Sequence, residues 1–369
     1  MCRPLRMTRW PVWVAGSISL LLGPLTAGSA RACTDVILNT APISITSART
    51  MDFEEDLQSD LKVVPRGQAM TSAAPGGRAG LSWTSKYGFV GVNALDVDKY
   101  IDGLNEKGLS AAGLWLTETQ YPAPPEGAAA LSIHDVVAWI LGNFATVAEV
   151  KAALPTVHIW GEPSRELQMV PPLHLAIHDG EGNNLVVEFV NGAVQIHDNP
   201  NGVLTNSPTF NWQLTNLRAY VNLSNVEPAD QWLAPLGHGN GMLGLPGDST
   251  SPSRFVRATL LRRFLVAPTA ASEAAQFAFR LMGRVTVVPG ETVPHKAPKE
   301  PLPYGGDYTQ WTVVRDHRNG VYYYTSLRNV SVRAVDLTKV NLAEGQPTRS
   351  LPIEGDGAIW YQDMSARPK

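Results

Sequence analysis

The chain has 369 residues, of which 44% are hydrophobic and 17% charged, and its formal net charge at pH 7 is −3. That hydrophobic fraction supports a large buried core and excludes a disordered chain. The weakly acidic charge does not favour nucleic acid or an anionic membrane surface as a partner.

The first 32 residues have the pattern of a secretory signal peptide. Three arginines within the first nine residues precede the apolar run VWVAGSISLLLG, and Ala30-Arg31-Ala32 forms an A-x-A cleavage site. The apolar run is too short to cross a membrane as a helix. Removing this leader takes away four arginines and no acid, which leaves 26 basic against 33 acidic residues. We therefore predict an exported protein whose mature form, residues 33–369, is a single domain without a composition break or repeat.

Cys33 becomes the first residue of the mature chain if cleavage follows Ala32. It is the only cysteine besides Cys2, so it cannot form a disulfide within the mature chain. An N-terminal cysteine carries a nucleophilic thiol and, in its α-amine, a base on the same residue. We predict that it attacks an acyl carbon and that water resolves the thioester. The alternatives are a lipid-modified cysteine, which the charged Arg31 disfavours, and a buried cysteine acting as a small hydrophobe.

The first predicted element is a hairpin. Two strand-like runs, TDVIL and ISITS, flank a turn at 39–42 and bring Arg49 and Asp52 back beside Cys33. Arg49 then supplies a cation near the thiolate and Asp52 an acid for the ammonium group. Residues three apart on a regular strand face opposite sides, so both reach the site only if the chain bends near 50–52. The alternative is a surface arginine and aspartate at the end of a strand.

Helices and further hairpins follow along the chain. Apolar spacing predicts a helix over 132–144, with Ser132 and Asp135 placed as a capping box. Thr146 is placed to cap a second short helix that ends at Pro155. Turns at 180–182 and 318–320 predict two more hairpins.

The second half of the chain predicts two further helices and a long loop. A helix over 251–265 places Arg254 in its first turn, where a cation opposes the helix macrodipole and is expected to be held for a carboxylate. SEAAQFAFRLMG predicts another helix, and the polar stretch 222–241 predicts an extended surface loop. Strands, then helices, then strands again indicate a layered α+β domain.

Three histidines offer an alternative base or a metal site. His174 and His178 lie four apart on a predicted strand and so share one face, but no third ligand is evident, and we predict core or surface histidines and no metal. A cysteine–histidine hydrolase that uses His134 or His174 remains an alternative mechanism.

Five segments resemble one known family: CTDVIL, ARTMDFEED, DGLNEKGLSAAGLW, GVLTNSPTFNWQLTNL and LGLPGDSTSPSRFVRA. They look like the choloylglycine hydrolase family, which contains bile salt hydrolases and penicillin V acylases, and the similarity runs through nearly all of residues 33–330. The resemblance implies the N-terminal nucleophile (Ntn) hydrolase fold, a four-layer αββα arrangement with two stacked antiparallel sheets. It implies no cofactor, a small-molecule N-acyl amide as substrate, and a homotetramer.

The same resemblance assigns roles to five residues. Cys33 matches the nucleophile freed by processing, and Arg49 and Asp52 match the flanking arginine and aspartate, the aspartate holding the terminal amine. Asn206 matches the asparagine whose side-chain amide donates to the oxyanion, together with a backbone N–H near Trp115 or Asn206. Arg254 matches the arginine that completes the charged network.

The family position after AAGL differs, because it is Trp115 here. Bile salt hydrolases usually have asparagine there, and Gram-positive penicillin V acylases have tyrosine. Tryptophan and an export leader resemble the Gram-negative branch, which implies a periplasmic enzyme that cleaves penicillin V or long-chain N-acyl-homoserine lactones. Conjugated bile salts are the alternative substrates, and Trp115 as ordinary core is the alternative role. A non-catalytic periplasmic binding protein on the same scaffold is a second, less favoured function.

Overall fold

The structure, a computed structural model, describes residues 32–95, 97–227, 241–294, 302–355, 360–362 and 365. The predicted leader, apart from Ala32, and most of the predicted loop 222–241 lie outside these residues. The cleavage site and that loop therefore stay predictions.

The described residues form eighteen strands and five α-helices. The strands are β1 Thr34–Thr40, β2 Ser44–Phe53, β3 Asp60–Val64, β4 Ala69–Ala74, β5 Arg78–Thr84, β6 Phe89–Ala94, β7 Val97–Asn105, β8 Ser110–Trp115, β9 Ala130–Ser132, β10 His158–Trp160, β11 Leu173–His178, β12 Asn184–Val190, β13 Ala193–Asp198, β14 Val203–Leu204, β15 Tyr308–Asp316, β16 Val321–Ser326, β17 Arg333–Asp336 and β18 Arg349–Pro352. The helices are α1 Val136–Asn143, α2 Val147–Ala153, α3 Phe210–Leu217, α4 Ser251–Arg263 and α5 Ala271–Met282.

Two large antiparallel sheets organise these elements. The first has the strand order β14-β1-β2-β15-β16-β17, and the second has the order β13-β12-β11-β8-β7-β6-β3-β18. Two small sheets, β4-β5 and the parallel pair β9-β10, complete the described strands. The order places β2 and β15 at the centre of the first sheet, with β1 beside β2, and β7 and β8 at the centre of the second.

Each large sheet is buried on both faces, which produces four layers. Helices α4 and α5 pack on the first sheet, and α1 and α2 pack on the second. Successive side chains of β12 point into two different cores. Val186 faces the core between the sheets, whereas Leu185 and Val187 face the core under α1 and α2. The αββα arrangement and the α+β class are confirmed.

The predicted hairpins and most of the helices are confirmed. Strands β1 and β2 pair with Thr34 opposite Thr50, and the other two predicted hairpins are β11–β12 and β15–β16. Thr146 caps α2 by accepting from the backbone N–H of Glu149. The helices predicted over 251–265 and in SEAAQFAFRLMG correspond to α4 and α5.

The helix predicted over 132–144 starts four residues later than expected. Ser132 ends β9 and pairs with Trp160, so it is held in a strand. The carboxylate of Asp135 binds Ser72 and Lys99 and makes no capping bond. None of the described helices is both long and apolar enough to span a membrane.

Candidate active site

Cys33 lies just before β1 at the base of a cavity and is only 3% exposed. Its Sγ lies 3.5 Å from Met51 Sδ, 3.8 Å from the carbonyl oxygen of Asp52 and 3.9 Å from Arg49 Nη2. Burial raises the pKa of the Cys33 thiol, and the opposing effect of Arg49 is smaller. Arg49 alone therefore does not produce a thiolate at neutral pH, and the site needs a base.

The guanidinium of Arg49 is fixed from the second sheet. Nη1 donates to the carbonyl of Ile101 at 2.5 Å and lies 3.2 Å from Asp102 Oδ2, and Nη2 donates to the carbonyl of Gly113 at 2.5 Å. These partners belong to β7 and β8, so stacking of the two sheets places this cation beside Cys33.

Asp102 is the centre of a buried charge network that was not predicted from the sequence. Its carboxylate also binds Arg315 through Nε and Nη2 and accepts from the hydroxyl of Tyr322 at 2.7 Å. The network extends from Arg315 to Asp35, because Nη1 of Arg315 lies 3.1 Å from Oδ2 of Asp35. One signal was available, because Asp102 is a lone acid within the apolar strand pattern YIDGL.

Asp52 reaches the site without the predicted bend in its strand. Strand β2 runs without interruption to Phe53, and the irregularity lies opposite, where β15 shifts register between Thr309 and Trp311. The side chain of Asp52 shares a face with Thr50, which donates to it at 3.1 Å, and Thr309 also donates to it. Arg49 and Asp52 therefore approach Cys33 from opposite faces of the same strand, and the predicted bend is wrong.

The carboxyl of Asp52 is buried, and burial raises its pKa to about 7, against the lowering effect of Arg254. The negative charge of Asp52 in turn raises the pKa of the Cys33 thiol. The expected partner of this acid was the nitrogen of Cys33. Within the described residues, that nitrogen donates instead to Asn206 Oδ1 at 2.6 Å.

Replacing Asp52 by asparagine is expected to lower the pKa of the Cys33 thiol. The variant removes a nearby negative charge that disfavours the thiolate, while Arg49 remains. The rate of alkylation by iodoacetamide, measured against pH on protein that begins at Cys33 and has no other cysteine, should rise at a lower pH than in the wild type. Arg49→Gln is the matched opposite and should move the profile to higher pH; an unmoved profile in both variants would contradict this electrostatic account.

Asn206 connects three parts of the site through one amide. Its Oδ1 accepts from Cys33 N and, at 2.8 Å, from Arg254 Nη2. Two donors on one oxygen fix the orientation of the amide, so Nδ2 faces the carbonyl of Trp115 at 2.9 Å. The backbone N–H of Asn206 donates to Ser251 Oγ at 2.9 Å and is already engaged.

Arg254 holds the main chain at Cys33 rather than a carboxylate. Its Nη1 donates to the carbonyl of Cys33 at 2.5 Å and to Thr34 Oγ1 at 2.6 Å, and its Nε donates to the carbonyl of Ser249 at 3.0 Å. No carboxylate hydrogen-bonds to Arg254 within the described ranges; the expected carboxylate is Asp52, which Arg254 affects through its charge by lowering the pKa of that carboxyl. The five residues predicted from the resemblance nevertheless form one connected cluster.

A family model described as "Linear amide C-N hydrolases, choloylglycine hydrolase family" matches residues 33–353. The chain belongs to this family. Its members are amidohydrolases that act on linear amides, so the enzyme class predicted from the sequence is confirmed.

Bile salt hydrolases and penicillin V acylases are both among the relatives of this choloylglycine hydrolase family member. A bile salt hydrolase/transferase of Clostridium perfringens is 34% identical over 84% of this chain and 94% of its own length. A penicillin V acylase of Pectobacterium atrosepticum is 32% identical over 88% of this chain and 86% of its own length. The solved structure of a penicillin V acylase from Agrobacterium tumefaciens superposes with a TM-score of 0.73 at 30% identity and covers 89% of this chain and 94% of that one.

Neither histidine proposed as an alternative base in this choloylglycine hydrolase family member contacts the thiol. The ring nitrogens of His174 face Glu188 and the carbonyl of Thr205, and Nε2 of His134 faces the carbonyl of Glu162 at 3.1 Å. The contacts given above for Cys33 Sγ include no imidazole. A cysteine–histidine mechanism therefore has no support among the described residues, nor do these contain three clustered His, Cys, Asp or Glu side chains that could hold a metal.

The cavity above Cys33 has a volume of about 310 Å³ and mostly apolar walls. Trp115 and Phe53 form one wall, with ring centroids 6.2 Å apart in an edge-to-face arrangement. Aliphatic side chains such as Leu57 and Leu173 extend it, and charged groups such as Lys99 also line it. Trp115 is half-buried and lines the cavity.

Proposed function

We propose that the chain is an exported amidase whose N-terminal nucleophile is Cys33 and whose favoured substrates are penicillin V and long-chain N-acyl-homoserine lactones. One observation carries the mechanism: the nitrogen of Cys33 and its thiol lie in one polar cluster, at the base of an apolar cavity. Removal of residues 1–32 turns that nitrogen from a peptide N–H into an α-amine.

The α-amine takes the thiol proton as Sγ attacks the acyl carbon of the amide, because burial keeps the thiol protonated. The carbonyl π electrons move to the oxygen, which becomes an oxyanion. Collapse of the tetrahedral adduct breaks the C–N bond, and the ammonium returns its proton to the leaving amine. Water, deprotonated by the same amine, then attacks the thioester and releases the carboxylic acid and the thiol.

Asn206 is the side chain best placed to stabilise the oxyanion. Nδ2 carries two hydrogens, of which one donates to the carbonyl of Trp115. The second is assigned to the oxyanion, while the fixed Oδ1 orients the amine through Cys33 N. The additional hydrogens of the α-amine are assigned to Asp52, whose raised pKa a neighbouring ammonium would lower.

The aromatic wall formed by Trp115 and Phe53 favours substrates with an aromatic or extended acyl group. An edge-to-face contact with Trp115 or Phe53 adds about 0.5–1.5 kcal/mol beyond the buried area. The similarity to penicillin V acylases points the same way. Glycine- and taurine-conjugated bile salts are the alternative substrates, because the relative from Clostridium perfringens is a bile salt hydrolase/transferase.

Amine release from penicillin V, a long-chain N-acyl-homoserine lactone and glycocholate tests the proposed substrates. We expect cleavage of penicillin V or the lactone and no cleavage of glycocholate. Trp115→Ala should lower kcat/KM for penicillin V about 3- to 10-fold, whereas the matched variant Trp115→Phe, which keeps an aromatic ring, should lower it less. Preference for glycocholate would keep the amidase mechanism but overturn the assignment of Trp115.

The proposal also includes the cellular location and the oligomeric state of the enzyme. The leader supports a periplasmic location, and the family resemblance supports a homotetramer. Cell fractionation and light scattering on the purified protein test them; a cytoplasmic, unprocessed monomer would contradict both.

A further inference from the structure

His174 and Glu188 are fully buried and face each other across neighbouring strands. Strands β11 and β12 pair with Leu175 opposite Val187, which places His174 opposite Glu188. The side chain of His174 is 0% exposed and that of Glu188 is 1% exposed, with Nδ1 3.2 Å from Oε1. The mechanism above uses neither residue, and burying two titratable groups is costly unless each is paired.

The two side chains bind the two ends of one short segment, 205–210. Nε2 of His174 lies 2.8 Å from the carbonyl oxygen of Thr205, and Glu188 Oε1 accepts from the backbone N–H of Phe210 at 2.9 Å. Asn206, the proposed oxyanion residue, follows Thr205 directly. The pair therefore fixes the backbone on both sides of the amide that contacts Cys33 N.

The polar atoms of the pair hold each other as well as the segment. Nδ1 of His174 faces Oε1 of Glu188, and Nε2 donates to the carbonyl of Thr205, which can only accept. Oε1 of Glu188 also accepts from the N–H of Phe210. Its Oε2 is buried without a hydrogen bond among the described residues, and the other titratable group near it is His197, whose Nε2 lies 3.9 Å away. Three of the four polar side-chain atoms of the pair therefore have a hydrogen-bond partner.

We propose that the hydrogen-bonded His174–Glu188 pair is a positioning device that holds segment 205–210 so that Asn206 points its amide at the oxyanion. This inference rests on the proposed role of Asn206. Because the pair touches neither the cavity nor Cys33, its loss should weaken stabilisation of the transition state and leave substrate binding nearly unchanged. A displacement of about 1 Å in such a group costs about 10²-fold in rate.

Glu188→Gln tests the positioning role. We expect kcat for the amide that the wild type cleaves best, among penicillin V, the lactone and glycocholate, to fall about 10- to 100-fold, with KM within about twofold. The matched control is Val187→Ala, which lies next to Glu188 but faces the other core; it should lower the melting temperature and leave kcat unchanged. Unchanged kcat in Glu188→Gln, or a loss that Val187→Ala reproduces, would overturn the proposal.

A second measurement needs no turnover. ¹⁵N NMR of the wild-type protein at pH 7, with the His174 signals assigned by their absence in His174→Asn, should show Nε2 of His174 protonated, because Nε2 donates to the carbonyl of Thr205. An unprotonated Nε2 would overturn the contact with Thr205 and with it the proposal. If the wild type cleaves none of the three amides, the proposed function fails while this result still stands or falls on its own.

Discussion

Replacing Cys33 by alanine is expected to abolish amide hydrolysis, with kcat lowered roughly 10⁴-fold or more. The thiol is the only cysteine sulfur in the described residues, and neither His134 nor His174 contacts it. Amine release from the cleaved substrate, measured on wild type and variant in parallel, checks the prediction.

The fold of the Cys33→Ala variant should persist, because the residue is small and its main-chain contacts to Asn206 and Arg254 do not involve the thiol. Circular dichroism and the melting temperature provide the control, and mass spectrometry must show that both proteins begin at residue 33. Retained turnover in the correctly processed variant would contradict the mechanism. A wild-type protein that is correctly processed yet inactive on all amides would favour the binding-protein alternative.

Asp102→Asn is expected to have the second largest effect, on both stability and turnover. The carboxylate neutralises Arg49 and Arg315, all three side chains are 0% exposed, and breaking a buried ion pair costs about 3–5 kcal/mol. Arg49 would also lose a group that holds it beside Cys33, so kcat/KM should fall about 10-fold or more. Urea unfolding and steady-state kinetics measure the two effects.

Tyr322→Phe is the matched control for Asp102→Asn. It removes one hydrogen bond from an uncharged donor to the same carboxylate and leaves both arginines paired, so it should cost about 1.5–3 kcal/mol with little change in kcat/KM. If Asp102→Asn unfolded at the same urea concentration as the wild type, the proposed role of the charge network in stability would be contradicted. Equal urea midpoints and equal kcat/KM for Asp102→Asn and Tyr322→Phe would contradict it as well.

Local pattern was sufficient to predict much of the fold. Alternating residues and a turn predicted the β1–β2 hairpin, and a cap at Thr146 with a stop at Pro155 predicted α2. The early start predicted for α1 failed because Ser132 and Asp135 have long-range partners, Trp160 and Lys99, that outcompete local capping. A capping pattern alone cannot reveal a strand partner 28 residues away.

The resemblance supplied the members of the site, but the sequence could not supply their geometry. The bulge opposite Asp52 lies on β15, more than 250 residues along the chain. Asp102 and the His174–Glu188 pair were missed because their roles arise from stacking of the two sheets and from backbone groups of distant segments. Such contacts depend on register between strands, which residue spacing within one strand does not encode.

The most direct test of an N-terminal cysteine nucleophile is the intact mass of the purified protein, alone and quenched during turnover of penicillin V or the lactone. We predict a chain that begins at unmodified Cys33 and, in the quenched sample, gains the mass of one acyl group on that residue. A chain that begins elsewhere, a lipid on Cys33, or turnover without an acyl group on Cys33 would contradict the account.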